Sequence, residues 1–176
     1  MIKWGILSTA KIATEQIIPA ITESKNSIIR GIASRDIKKA KKISKQFDIP
    51  KFFGTYDELL NYKKIDAIYI PLPTSQHVEW SIKSLKAKKH VLCEKPIALN
   101  VKEIDRINLE INKSNKIFSE AFMVYYHPQW KKVKELILNG EIGELKHVQG
   151  CFTYFNIDPK NMRNIPELGG GVLPDI

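Results

Sequence analysis

Short apolar runs alternate with amphipathic stretches from the first residue onward. Runs at residues 2–7, 27–33, 51–53, 66–70, 90–93 and 117–121 read as strands. The stretches 11–22, 36–47, 56–61, 75–87 and 101–112 place apolar residues three and four apart, which is helical spacing. Strand and helix in regular alternation predict an α/β fold built on a parallel sheet. The segment Asp66-Ala67-Ile68-Tyr69-Ile70 is apolar almost throughout, as a strand is when helices cover both of its faces. Pro19 falls inside the first helical stretch and predicts a kink or an early end there.

Past about residue 122 the pattern changes. One more helix is predicted over 128–138, with Pro128 at its first position and Asn139-Gly140 as its stop. Residues 143–156 then alternate in strand fashion, a loop with Pro159 and Pro166 follows, and the chain closes on Gly169-Gly170-Gly171-Val172-Leu173-Pro174-Asp175-Ile176. The reading is a first domain over 1–122 and the opening part of a second over 123–176.

At 176 residues, 43% hydrophobic and 27% charged, the chain has globular composition, so disorder is excluded. It has no run of 18 apolar residues and no cleavable leader pattern, so neither a membrane span nor a secretory signal is expected. Two cysteines, Cys93 and Cys151, form no framework and no metal-ligand spacing. A reducing, cytoplasmic compartment without a metal is the expectation. Net charge is +9, and all of it lies in residues 1–93, which hold 17 Lys and Arg against 8 Asp and Glu; residues 94–176 hold 11 of each. Only four of the basic residues are Arg (Arg30, Arg35, Arg106 and Arg163), and the lysines fall mainly on helix faces. That is a solvated surface rather than a nucleic-acid reader.

The candidate chemistry lies where strands end. The first strand runs through Ser8, Thr9, Ala10 and Lys11 to Ile12 and Ala13 as it enters a helix, the place where dinucleotide-binding sheets put G-x-G-x-x-G. Here the spacing gives S-x-A-x-x-A. Small residues keep part of the glycine logic, and Ser8 can donate to a phosphate oxygen. The second strand ends at Ser34-Arg35-Asp36, about 26 residues on, where NAD sites carry an acidic residue and NADP sites an Arg. Arg35 offers a planar fork suited to phosphate, and Asp36 reads as the N-cap of the next helix. The expectation is NADP over NAD. Pro71-Leu72-Pro73-Thr74-Ser75-Gln76-His77 follows the fourth strand and Glu94-Lys95-Pro96 the fifth. Thr74 and Ser75 can cap a helix, and His77 reads more readily as a structural or surface histidine than as a ligand. Lys95, between Glu94 and Pro96, reads equally as a Glu94 partner or as a group that holds a substrate oxygen and passes protons.

Taken together, WGILSTAKIA, ASRD, YIPLPTSQH, EKP, EAFMVYYHPQW and GGGVLPDI resemble, in order and spacing, the glucose-fructose oxidoreductase and inositol dehydrogenase (Gfo/Idh/MocA) family. The likeness is greatest to its dihydrodiol dehydrogenase and NADP-dependent xylose dehydrogenase branch. The resemblance implies a doubly wound Rossmann domain followed by an α+β domain with a large open antiparallel sheet, of which this chain holds only the start. It implies hydride transfer between a nicotinamide and a hydroxyl carbon of a sugar, cyclitol or diol. On it, Lys95 matches the lysine at the reacting oxygen, and Glu94 and Pro96 shape its turn, with a cis peptide before Pro96. Ser8, Thr9, Ala10 and Ile12 match the pyrophosphate turn. Ser34 and Arg35 match the adenosine-phosphate pocket. Leu72, Pro73, Thr74 and His77 match the segment beneath the nicotinamide ribose, and Glu120 matches a nicotinamide-side carboxylate.

Tyr125, His127 and the loop from Asn156 to Pro166 fall at substrate-facing positions, although the family has Arg where Tyr125 stands. Asp175 matches the acid of a motif whose His or Tyr acid/base lies four residues further on, beyond Ile176. The expectation is therefore a fragment that binds the dinucleotide with little turnover alone, from a protein that, like its relatives, can pair into a homo-oligomer. The runner-up is a dinucleotide-binding regulatory module without turnover.

Overall fold

The structure, a computed structural model, describes residues 1–171. Six strands form one sheet: β1 (Ile2–Leu7), β2 (Ser27–Ala33), β3 (Phe52–Phe53), β4 (Ala67–Ile70), β5 (His90–Glu94) and β6 (Phe118–Ala121). Their order is β3-β2-β1-β4-β5-β6, with every neighbouring pair parallel. The order reverses between β1 and β4. A doubly wound sheet has its ligand crevice at that reversal, outside the carboxyl ends of the strands.

The crossovers contain α1 (Ile18–Glu23), α2 (Ile37–Gln46), α3 (Tyr56–Asn61), α4 (His77–Lys86) and α5 (Val101–Ser114). The apolar strands split between two layers by their period of two. Ile6, Ile32 and Tyr69 pack with Ala13 and Ile18 on one face, while Leu7, Ile68 and Ile70 pack with Leu59, Leu85 and Ile107 on the other. Gly5 makes the second layer fit, since a Cβ there would stand 2.7 Å from Leu59 Cδ2 and 2.8 Å from Ile65 Cδ1.

Local chemistry sets the helix ends. Asp36 caps α2, accepting from the N–H of Lys38 at 2.9 Å. Thr55 and Glu58 form a capping box on α3. Asn115 ends α5 in the left-handed conformation. The expected disturbance at Pro19 is a π-helical turn, Ala13–Ile17, after which α1 restarts with Pro19 in its first turn. A first-turn position needs no intrahelical N–H, so proline fits there.

Two expectations fail. Thr74 and Ser75 do not cap α4; the chain enters it through a 3-10 turn, Thr74–Gln76, and neither element has a side-chain cap. Residues 143–156, expected as a strand, are irregular. Their alternation calls for a neighbouring strand, and none of the described residues pairs with them. Helix α6 (Pro128–Leu138) forms as expected, with Pro128 in its first turn, but buries none of its residues.

Candidate functional site

The carboxyl ends of β1, β2, β4, β5 and β6 carry most of the residues singled out above. At the end of β1, Ser8 takes a φ of +112°, a value glycine adopts freely and other residues rarely do. Two bonds hold it there: its N–H donates to Ala33 O at 2.8 Å, and its Oγ accepts from Ala10 N–H at 3.0 Å. The serine hydroxyl thus closes the turn that glycine would have made. Thr9, Ala10 and Ile12 continue the turn at partial exposure, and Ala13 is fully buried beneath it.

At the end of β2, Ser34 is buried and its Oγ accepts from Asp36 N–H at 3.2 Å. Because the Asp36 carboxylate is engaged as a cap, Arg35 is the charged group presented at this strand tip. It reaches toward β1. The Tyr56 phenol lies close to both the Arg35 guanidinium and the Ser8 hydroxyl. Burial pushes the phenol above its ordinary value, with the nearby Arg35 charge pulling the other way. The ring is wedged edge-on against Trp80, centroids 4.9 Å apart. Sequence reasoning missed Tyr56. Its one signal was its place as first residue after the cap Thr55, opening a helix whose start lies near the two strand tips.

At the end of β4, Leu72 and Thr74 are buried. His77 is 1% exposed; its Nδ1 lies 2.7 Å from Pro96 O and its Nε2 2.7 Å from Leu72 O. Both nitrogens face carbonyls within the protein, so the ring spans two loops. Gly169, at φ +86°, lies so near Thr74 that a Cβ would come within 2.7 Å of the threonine Cβ.

At the end of β5, the Glu94 carboxylate accepts from the buried Tyr69 hydroxyl at 2.5 Å. Burial first, and Glu94 second, push the Tyr69 phenol far above its ordinary value. The Lys95–Pro96 peptide is cis. Glu120 of β6 accepts through Oε1 from Ile97 N–H at 2.8 Å. Lys95 opens onto a cleft of about 490 Å³ whose other walls include Phe152, Tyr154, Phe155, Asn161 and Arg163. Cys93, below this turn, is inert: burial pushes its thiol up to about 12.

Tyr125 and His127 are not part of the Lys95 cleft. Tyr125 stacks edge-on with Tyr126, and His127 caps α6, its Nδ1 accepting from Gln129 N–H at 3.2 Å. The cleft walls come from 152–163: Asn156, Asp158, Asn161 and Arg163 lie in the loop expected to line the substrate pocket, whereas Phe152, Tyr154 and Phe155 come from the stretch expected as a strand. Asp175 lies outside the described residues. Among the described residues no group of His, Cys, Asp and Glu could hold a metal ion, and no helix is long and apolar enough to cross a membrane.

The donor set fits a phosphorylated dinucleotide. A turn of small side chains, a guanidinium at the second strand tip and a lysine across the sheet reversal span the crevice.

Comparison with known proteins agrees. Residues 2–122 match the GFO_IDH_MocA model, described as an oxidoreductase family with an NAD-binding Rossmann fold, and residues 130–176 match the GFO/IDH/MocA C-terminal domain. An uncharacterized oxidoreductase of Rhizobium meliloti, ORF334, is 42% identical over 100% of this chain and 53% of its own. The D-xylose 1-dehydrogenase (NADP(+)) 2 of Haloferax volcanii is 33% identical over 98% of this chain and 53% of its own. The crystal structure of KijD10, a 3-ketoreductase from Actinomadura kijaniata in complex with NADP and TDP-benzene, superposes with a TM-score of 0.94 at 32% identity, covering 99% of this chain and 54% of that one. The chain spans about half the length of the curated relatives it matches.

Proposed function

The chain belongs to the GFO/IDH/MocA oxidoreductase family, and from that premise we propose that it is the dinucleotide-binding part of an NADP-dependent oxidoreductase. The substrate class is the hydroxyl carbon of a sugar, cyclitol or diol, or the corresponding ketone. The observation that carries the cofactor reading is the Asp36 carboxylate spent on its helix, which leaves Arg35, close to Tyr56, as the charged group at the second strand tip. Relatives named for NADP and for sugars support the same reading. We place the division between cofactor and substrate regions near residue 122.

A bound nicotinamide supplies the hydride donor or acceptor. The chain's own residues do the rest. The Thr9 N–H, the N–H groups that open the following helix as far as Ile12, and the Ser8 hydroxyl hold the pyrophosphate, and Arg35 pairs with the phosphate on the adenosine ribose. Leu72, Pro73 and Thr74 form the floor beneath the nicotinamide ribose. Lys95 meets the nicotinamide end of the cofactor, holds the substrate oxygen and moves its proton, and the 152–163 wall encloses the substrate. These 176 residues bind cofactor with little turnover, because they carry only part of the length over which such relatives build a site.

Arg35→Ala tests the cofactor reading. Fluorescence titration should show NADPH affinity falling about tenfold or more and NADH affinity staying within about twofold. Equal loss for both cofactors, or no loss, would contradict it.

A further inference from the structure

Lys95 sits in a turn fixed on both sides by different devices. Upstream, Glu94 is the last residue of β5, pairs with Ala121 of β6 and is held by the buried Tyr69 hydroxyl. Downstream there is no ladder, because residues 96–99 are a loop. The carbonyl of Pro96 and the N–H of Ile97 are two ends of a single peptide group, and each end meets a side chain from another element. His77, at the start of α4, lies against the carbonyl at 2.7 Å, and Glu120, in β6, accepts from the N–H at 2.8 Å. His77 Nε2 also lies 2.7 Å from Leu72 O in the β4 loop, and the ring donates to both carbonyls only when each of its nitrogens carries a hydrogen. One peptide plane is therefore gripped from two sides, by groups rooted in the rigid sheet and its helix.

We propose that Glu120 and His77 are positioning residues that fix the Pro96–Ile97 peptide plane and, through it, the direction in which Lys95 leaves the sheet toward the reacting oxygen. The inference rests on the reading of Lys95 above. It gives Glu120 work as a backbone acceptor, and it gives the buried histidine a use that requires no contact with ligand. Rotation of that plane swings the lysine, and a misplacement of about 1 Å at a reacting group can cost on the order of a hundredfold in rate.

The test uses the whole 176-residue chain, NADPH, and 2′,5′-ADP, which has the phosphorylated adenosine half without nicotinamide. Glu120→Ala should speed exchange of the Ile97 amide hydrogen about tenfold and weaken NADPH about fivefold, with 2′,5′-ADP within about twofold. Glu120→Gln, which keeps an acceptor oxygen, should restore both. Added to Lys95→Ala, Glu120→Ala should weaken NADPH no further, because its effect passes through the lysine. Glu120→Gln as damaging as Glu120→Ala, equal loss of both ligands, or additivity with Lys95→Ala would each overturn the proposal. If wild-type chain binds no NADPH, the functional reading fails instead, and Ile97 exchange alone upholds or sinks the clamp.

Discussion

Tyr56 stands between the two strand tips that form the cofactor end of the crevice, its hydroxyl close to Arg35 and Ser8. Tyr56→Phe removes only that oxygen and keeps the ring against Trp80. The NADPH-over-NADH preference should fall about threefold, with global stability changed by less than about 1 kcal/mol. Equilibrium titrations beside urea melts separate the two, and an unchanged preference would mean that Arg35 holds its place without help. The two thiols differ as sharply. Cys151 is exposed and Cys93 buried, so a thiol reagent should modify the first at once and the second only on unfolding. The pH dependence has a definite sign. An unfolded thiol ionises near about 8.5, whereas the folded Cys93 does so only near 12. The unfolded chain loses its proton first, so this stabilisation is whole below the lower value and is lost as pH rises toward the upper one. Urea midpoints from pH 7 to 10.5 should fall less steeply for Cys93→Ala than for wild type, and parallel slopes would refute the assignment.

At the scale of elements, α3 is only six residues long, Tyr56–Asn61, and depends on its capping box. Thr55→Ala should cost about 1 kcal/mol in urea unfolding. NADPH affinity should fall with it, because Tyr56 is the helix's first residue; a stability loss with affinity intact would uncouple the two. Most of the fold was legible in sequence because each strand and helix of the sheet region has its period, cap or stop written locally. Pro19 marked a break, though not that the break would be a π turn, since that choice depends on how Ala13 and Ile18 pack beneath β1. The 143–156 segment was misread for a physical reason: alternation states what a strand would bury, and only a neighbouring strand makes it one. The site was partly legible by the same logic. Strand ends flag Ser8, Arg35 and Lys95, and the loop from Asn156 was expected at the substrate, but that Phe152, Tyr154 and Phe155 join it at the Lys95 cleft is decided by tertiary return, which has no local signature.

For the molecule as a whole, the +9 charge lies in the half that carries the crevice, so attraction for a dinucleotide polyanion adds to local pairing and should weaken with salt. Beyond β6 the described residues expose large apolar groups, Val148 at 75% and Phe155 at 85% among them, while the sheet region is closed over its two layers. Incubated with NADP and a panel of sugars, cyclitols and diols, the 176-residue chain should produce little reduced cofactor at 340 nm, and robust turnover would show that the substrate wall is already complete. The most direct measurement is calorimetric titration of the unmodified chain with NADPH and NADH side by side. The account predicts saturable one-to-one binding of NADPH, at least about tenfold tighter than NADH; no binding, or tighter binding of NADH, would contradict it.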